Sequence, residues 1–150
     1  MKRARGMSLV EVLLVVALIA VGAGIAAAVL GGGRAGSELR GAARTLAEEL
    51  RFTRAQAIAT GQEQVFRIDV DSRRWQAAGK REGELPASLT VRAITARNEQ
   101  VARGDAAVRF FPDGAATGGR FVLEHGQAAW RIDVAWLTGQ VTLQRGSGEP

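Results

Sequence analysis

The chain has 150 residues, 47% of them hydrophobic, and contains one histidine, no cysteine and no tyrosine. That is room for one modest domain plus a separate apolar run, and without cysteine neither a disulfide framework nor a thiolate metal site can form. The formal charge of +5 suggests a nucleic-acid binder until it is located: Lys2, Arg3 and Arg5 supply three of the five, and from Met7 onward 17 basic residues are interspersed with 15 acidic ones.

From Val12 to Leu30 there are 19 consecutive residues without a charge, which at about 1.5 Å per residue approaches the thickness of a bilayer core. The basic residues ahead of this run should stay cytoplasmic, placing the chain beyond Leu30 across the membrane, in a bacterium the periplasm. A cleaved secretory signal, a plain signal anchor and a specialised leader cut on the cytoplasmic side all begin this way. Glu11 separates them. An unpaired carboxylate in an apolar helix costs several kcal/mol unless it meets a cation or takes a proton. The first two readings supply no partner, and the bland alternative is a helix-end acid that reaches interfacial water and the positive end of the helix dipole.

The string "RGMSLVE" resembles the class III leader of type IV pilins and type II secretion pseudopilins. The resemblance implies a prepilin peptidase that cuts between Gly6 and Met7, so that 1–6 is a leader peptide and Met7 becomes the N-methylated first residue. Glu11 then becomes the fifth mature residue, an assembly residue whose implied partner is the α-amine of a neighbouring subunit. Segment 7–33 is expected to be the transmembrane and assembly helix in the inner membrane. Two residues depart from the family pattern: Met7 stands where phenylalanine is commonest, and Ala28 where many members have a helix-bending proline.

"GGGRAG" at 31–36 suggests a weak point or bend, and no preceding strand or following Gly-Lys-Ser/Thr makes it a phosphate loop. Beyond it the pattern is helical. Leu39, Ala43, Leu46, Leu50, Thr53 and Ala57 recur at steps of four and three, while Glu38, Arg40, Arg44, Glu48, Glu49, Arg51 and Arg54 mostly fall elsewhere, and Gly61 is a natural stop. This predicts an amphipathic helix over 34–60. Joined to the membrane segment, it would make a rod of about 80 Å.

The remainder, 61–150, alternates as β-structure. Phe66, Ile68 and Val70 point one way in "VFRIDV"; "RRWQAA", "SLTVRAI" and "AVRFF" are shorter candidates. Trp130, Ile132, Val134 and Trp136 are expected to share one face, with "LTGQ" turning the chain into "VTLQ" as a hairpin. Pro112, Asp113 and Gly114 have turn-forming types, as does "AATGGR", and Phe110 or Phe111 and the tryptophans are expected in the core.

The words "FFPDGAATGGRFVL" and "WRIDVAWLTGQVTL" resemble the C-terminal pattern of the H-type minor pseudopilins (GspH-like) of type II secretion. With the leader and the helix, the likeness covers nearly the whole chain. It implies an α+β, type IV pilin-like fold: a long N-terminal helix, half membrane-spanning and half amphipathic, packed on an antiparallel β-domain, with 34–150 periplasmic. It also implies a structural subunit of the periplasmic pseudopilus that promotes export of folded proteins across the outer membrane. The implied partners are other pseudopilins near the filament tip, the prepilin peptidase and the inner membrane, with no nucleic acid.

No catalytic constellation accompanies these elements, so neither enzyme activity nor a cofactor is expected. His125 has no nucleophile near it in sequence and reads as a turn or strand-end residue. Asp69 and Asp71 form a lone D-x-D, far short of a calcium loop, and read as turn formers. The absence of the extended calcium-loop region of major pseudopilins favours a minor role. The rival from another class is a FimT-like minor type IV pilin that binds DNA during transformation. It needs phosphate-neutralising charge, for which Arg73, Arg74, Lys80 and Arg81 are the candidate patch.

Overall fold

The computed structural model describes residues 9–95 and 104–147, with side chains described except at 25–34 and 147. It divides into two units, Met1–Ala35 and Gly36–Pro150. Helix α1 (Leu9–Thr60) contributes to both. The backbone is helical through 31–36, so the helix continues through the glycine-rich stretch that its composition marks as a weak point or bend. In a helix each glycine costs only about 1 kcal/mol relative to alanine, which the flanking helix formers offset.

In the second unit the helical periodicity becomes packing. Leu39, Ala43, Leu46, Leu50, Thr53 and Ala57 are all wholly buried, one stripe of a 3.6-residue repeat. Thr53 is tolerated there because its Oγ1 donates to the Glu49 carbonyl at 2.8 Å and accepts from Ala78 N at 3.4 Å. Glu49, expected in solvent, is instead buried beside this stripe. Its Oε1 accepts from Arg81 Nη2 at 2.5 Å, and the Arg81 guanidinium also lies 4.4 Å from the Phe52 ring centroid. A cation reaching in from another element offsets the cost of that burial. The helix stops before Gly61, whose φ of 64° is the left-handed conformation that glycine adopts without penalty.

Among the described residues, eight strands come after the helix: β1 (Gln64–Asp69), β2 (Arg74–Ala77), β3 (Arg81–Glu84), β4 (Thr90–Thr95), β5 (Asp105–Phe110), β6 (Gly119–His125), β7 (Ala128–Val134) and β8 (Val141–Ser147). They form two antiparallel four-stranded sheets, ordered β3-β2-β1-β5 and β4-β6-β7-β8. Period-2 alternation sends Phe66 and Ile68 of β1, Val91 of β4, Phe121 and Leu123 of β6, and Ile132 and Val134 of β7 into the core. Aromatic rings join the sheets. Phe66 stacks on Trp75 with centroids 6.3 Å apart and meets Phe121 edge to face at 6.0 Å, both within the favourable range for ring pairs.

Two strands lack the alternation that would have marked them. In β3 no large apolar side chain points inward, and β6 begins with Gly119, inside a stretch whose composition reads as a turn. The β7 pattern overreaches at its end. The strand closes at Val134, and 135–140 form a loop in which Ala135 N bonds Gln140 O and Gly139 N bonds Ala135 O. Trp136 therefore leaves the inward face and is 69% exposed. Trp75 is buried, Trp130 half-buried under the Arg40 guanidinium at 5.9 Å, Phe110 buried and Phe111 half-buried.

Candidate assembly surfaces

Among the described side chains from Leu9 to Gly24, the first unit presents an apolar helix surface with one charge. From Leu9 to Gly24 every side chain of α1 is exposed, including Leu9, Val10, Leu13, Leu14, Leu18 and Ile19. Glu11 stands in the first turn, itself exposed. A helix apolar on all sides must be covered by lipid or by other helices. Among the described residues no helical stretch is long and apolar enough to cross a membrane. The uncharged run of the sequence continues through 25–30, whose side chains, that of Ala28 among them, lie outside the described set. Gly6 and Met7 also lie outside the described residues.

In the second unit a different set of residues fastens loops to the helix. Arg54 Nε donates to the carbonyl of Gly114 at 3.0 Å and to that of Thr138 at 3.2 Å, and Arg51 Nη2 donates to the Val141 carbonyl at 3.1 Å. One arginine thus clasps the β5–β6 turn and the β7–β8 loop together. Gly139 sits at their contact with φ of 61°, and a Cβ there would lie 2.2 Å from the Gly114 oxygen. The turn itself is built as its residue types suggest: Asp113 Oδ1 accepts from Ala115 N, and Gly114 N donates to the Phe111 carbonyl, both at 2.9 Å. Sequence reasoning placed Arg51 and Arg54 only on the polar side of the helix. Their one legible signal is that two arginines spaced three apart share a helix face.

The remaining candidates resolve as structural groups. His125 ends β6, and its Nδ1 bonds the Ser88 carbonyl at 3.0 Å. Asp69 caps a turn: its Oδ2 accepts from Ser72 Oγ at 2.7 Å, and its Oδ1 from the backbone N–H of Asp71 and Ser72 at 2.9 and 3.1 Å. The Ser72 hydroxyl, followed by the two backbone donors, holds the Asp69 carboxyl below its ordinary value of 3.8. A pKa lower in the folded than in the unfolded chain gives stability that is fully present above the unfolded value and lost as pH falls through the folded one. A carboxyl-resolved NMR titration of the full chain should place the Asp69 midpoint below 3.8; a midpoint at or above it would remove the Ser72 bond as its cause.

The four basic residues of the rival patch do not act as one field. Arg74 pairs with Glu84 at 3.6 Å and Arg81 with the buried Glu49. Arg73 Nη1 turns back to the Asp71 carbonyl at 3.4 Å. Lys80 ends the short turn Ala78–Lys80 with its side chain exposed to solvent. With two of its four cations already paired to carboxylates, the patch makes a poor phosphate-binding surface.

Comparison with known proteins agrees with this architecture. The family described as Type II transport protein GspH matches residues 42–139, and the Prokaryotic N-terminal methylation motif matches residues 1–27. A protein named Type II secretion system protein H, from Xanthomonas campestris pv. campestris, is 51% identical over 140 residues, covering 93% of this chain and 83% of its own. Among solved structures, the minor pseudopilin EpsH of the Vibrio cholerae type 2 secretion system superposes with a TM-score of 0.55 at 21% identity, over 75% of this chain and 99% of that one. The type IV minor pilin FimU of Pseudomonas aeruginosa gives 0.56 at 15% identity, over 72% and 89%. At such identities the two structures establish the type IV pilin-like α+β fold alone. The family match and the half-identical relative go further: this chain belongs to the GspH family and is a minor pseudopilin of the type II secretion system, a structural, inner-membrane-anchored subunit that works among other pseudopilins.

Proposed function

We propose that the chain is made as a precursor whose leader, 1–6, is removed between Gly6 and Met7 by a prepilin peptidase, with Met7 then N-methylated. Segment 7–33 crosses the inner membrane once and holds the domain at 34–150 in the periplasm. On extraction into the pseudopilus, Glu11 pairs with the α-amine of a neighbouring subunit near the filament tip and fixes the axial register. The observation that carries this reading is the single acid in the first turn of a helix segment otherwise exposed and uncharged.

The physical logic is selective burial. Among lipid-covered or helix-covered side chains an unpaired carboxylate is costly, and a cation placed beside it removes much of that cost. Apolar packing between helices tolerates axial sliding; one buried ion pair does not, because each wrong register leaves two charges without partners. Cleavage is what creates the cation at the right distance along the chain.

Gly6→Ala should leave an uncut, membrane-held precursor on a mass-resolved blot, and normal maturation would overturn the leader assignment. Deletion of the gene in its native host, with complementation, should abolish extracellular enzyme secretion and spare DNA transformation. Transformation lost with secretion intact would replace this reading by DNA uptake.

A further inference from the structure

The arginines of the second unit differ in what they face. Arg74, Arg81, Arg92, Arg109, Arg120 and Arg131 each have a carboxylate within ion-pair distance. Among the described residues Arg40, Arg44 and Arg145 have none, and these three gather around one ring. The Arg40 guanidinium lies over Trp130, 5.9 Å from the ring centroid. Arg44 stands one turn further along the same face of α1. Arg145 belongs to the edge strand β8 and is paired directly opposite Trp130, which puts both side chains on one side of the sheet with Cβ atoms about 5 Å apart.

The acids of the helix leave this cluster unanswered. Glu38 and Glu48 are exposed and pair with no arginine, while Glu49 is committed to Arg81. Further along α1, Arg51 and Arg54 give donors to main-chain carbonyls. Arg40, Arg44 and Arg145 are all exposed around a half-buried tryptophan, and like charges one turn apart on a helix repel. An anion would relieve that repulsion.

The side chains suit one kind of anion. A guanidinium offers a planar fork of donors that matches a phosphate in two-point contact, and the face of Trp130 holds the Arg40 fork in place before any ligand arrives. Tryptophan with long basic side chains beside it is also the chemistry of a membrane–water interface, where apolar bodies sit below polar tips. Position agrees. Arg40 follows Leu30, the last residue of the uncharged run, by ten positions, and long side chains on a helix lean back toward its N-terminus, here the end that carries the apolar run.

We propose that Arg40, Arg44 and Arg145, arranged around Trp130, form a site for the phosphate of an anionic phospholipid headgroup in the periplasmic leaflet. The inference rests on the reading that 7–33 crosses the inner membrane and leaves 34–150 beyond it. It goes further than the register role of Glu11: the folded domain has its own hold on the membrane surface, one that extraction into the pseudopilus must break.

The test uses the full chain in nanodiscs of phosphatidylcholine, with and without phosphatidylglycerol, and reads the indole N–H signals of Trp75, Trp130 and Trp136 by NMR. Phosphatidylglycerol should shift the Trp130 signal saturably as its share of the disc rises, leave the other two in place, and lose its effect as salt is added. Arg40→Gln combined with Arg145→Gln should weaken the response by about fivefold or more at an unchanged melting temperature, whereas Arg67→Gln, at an exposed position of β1, should respond like the parent. Arg145→Gln alone serves the same purpose if the double variant misfolds. Inorganic phosphate added to the phosphatidylcholine discs should leave Trp130 unmoved; the same saturable shift from it would assign the site to free phosphate and overturn the headgroup as its ligand. An unmoved Trp130 signal in discs that carry the inserted chain, or a full response from the glutamine variants, would overturn this proposal alone. A chain that elutes free of both kinds of disc would overturn the membrane reading of 7–33 and this site with it.

Discussion

Glu11→Ala should still be cleaved and should still reach the membrane, yet its incorporation into the pseudopilus, measured by crosslinking, should fall by roughly tenfold or more, with secretion falling alongside. The magnitude comes from the charge that the substitution strands. Removing one member of a pair shielded from water leaves the other unpaired, at a cost of about 3–5 kcal/mol where the shielding is complete, and 1.4 kcal/mol already corresponds to tenfold. The methyl group of alanine itself costs the helix nothing, because alanine is the best helix former. Folding of the second unit, whose core begins at Leu39, should be unaffected, so a normal thermal transition with lost incorporation separates assembly from stability. Glu11→Gln sharpens the comparison: it keeps the shape and removes the charge. Wild-type incorporation of either variant would withdraw the register role.

The second large effect concerns stability. Phe66→Ala should destabilise the folded domain by about 3–5 kcal/mol, lowering the melting temperature by roughly 10–20 °C for a unit of this size. Phe66 is wholly buried and touches both Trp75 on its own sheet and Phe121 on the other. Truncation therefore opens a cavity where the two sheets meet and forfeits two ring contacts, each worth about 0.5–1.5 kcal/mol beyond area burial. Phe66→Leu, which keeps most of the volume, should cost well under half as much. Thermal denaturation of the full chain in micelles would show it, and a shift of only one or two degrees would mean that the sheets are held by other contacts.

Much of this fold was legible because periodicity reports directly on burial. The step pattern of Leu39 to Ala57 identified the buried helix face residue by residue, and Phe66 and Ile68 did the same for β1. Where a side chain's place depends on a partner far along the chain, the pattern was silent. Glu49 looked like a solvent-facing acid because Arg81, the cation that lets it be buried, belongs to another element. Strand β3 carries no apolar alternation because it is an edge strand, and it pairs through its backbone instead. Trp136 misled for the opposite reason, its alternation continuing past the point where the strand ends.

The same holds for the functional surfaces. A carboxylate inside an uncharged run is visible in any sequence, so Glu11 could be singled out with no structure at all. Arg54 was hidden, because its partners are main-chain carbonyls, which every residue has.

The order of strands along the chain bears on how this domain comes apart. Strand β4 lies in one sheet, β5 in the other, and β6 in the first again, with β5 reaching back so that Phe110 pairs Gln64. No single cut in the chain leaves two complete sheets; a break after β4 strips β1 of one neighbour and β4 of its only one. The two sheets are thus interleaved along the chain and close on one apolar core, with Phe66 of the first against Phe121 of the second. Loss of either sheet would leave the ladders of the other paired but strip the cover from its apolar face, which gives the halves a reason to come apart together.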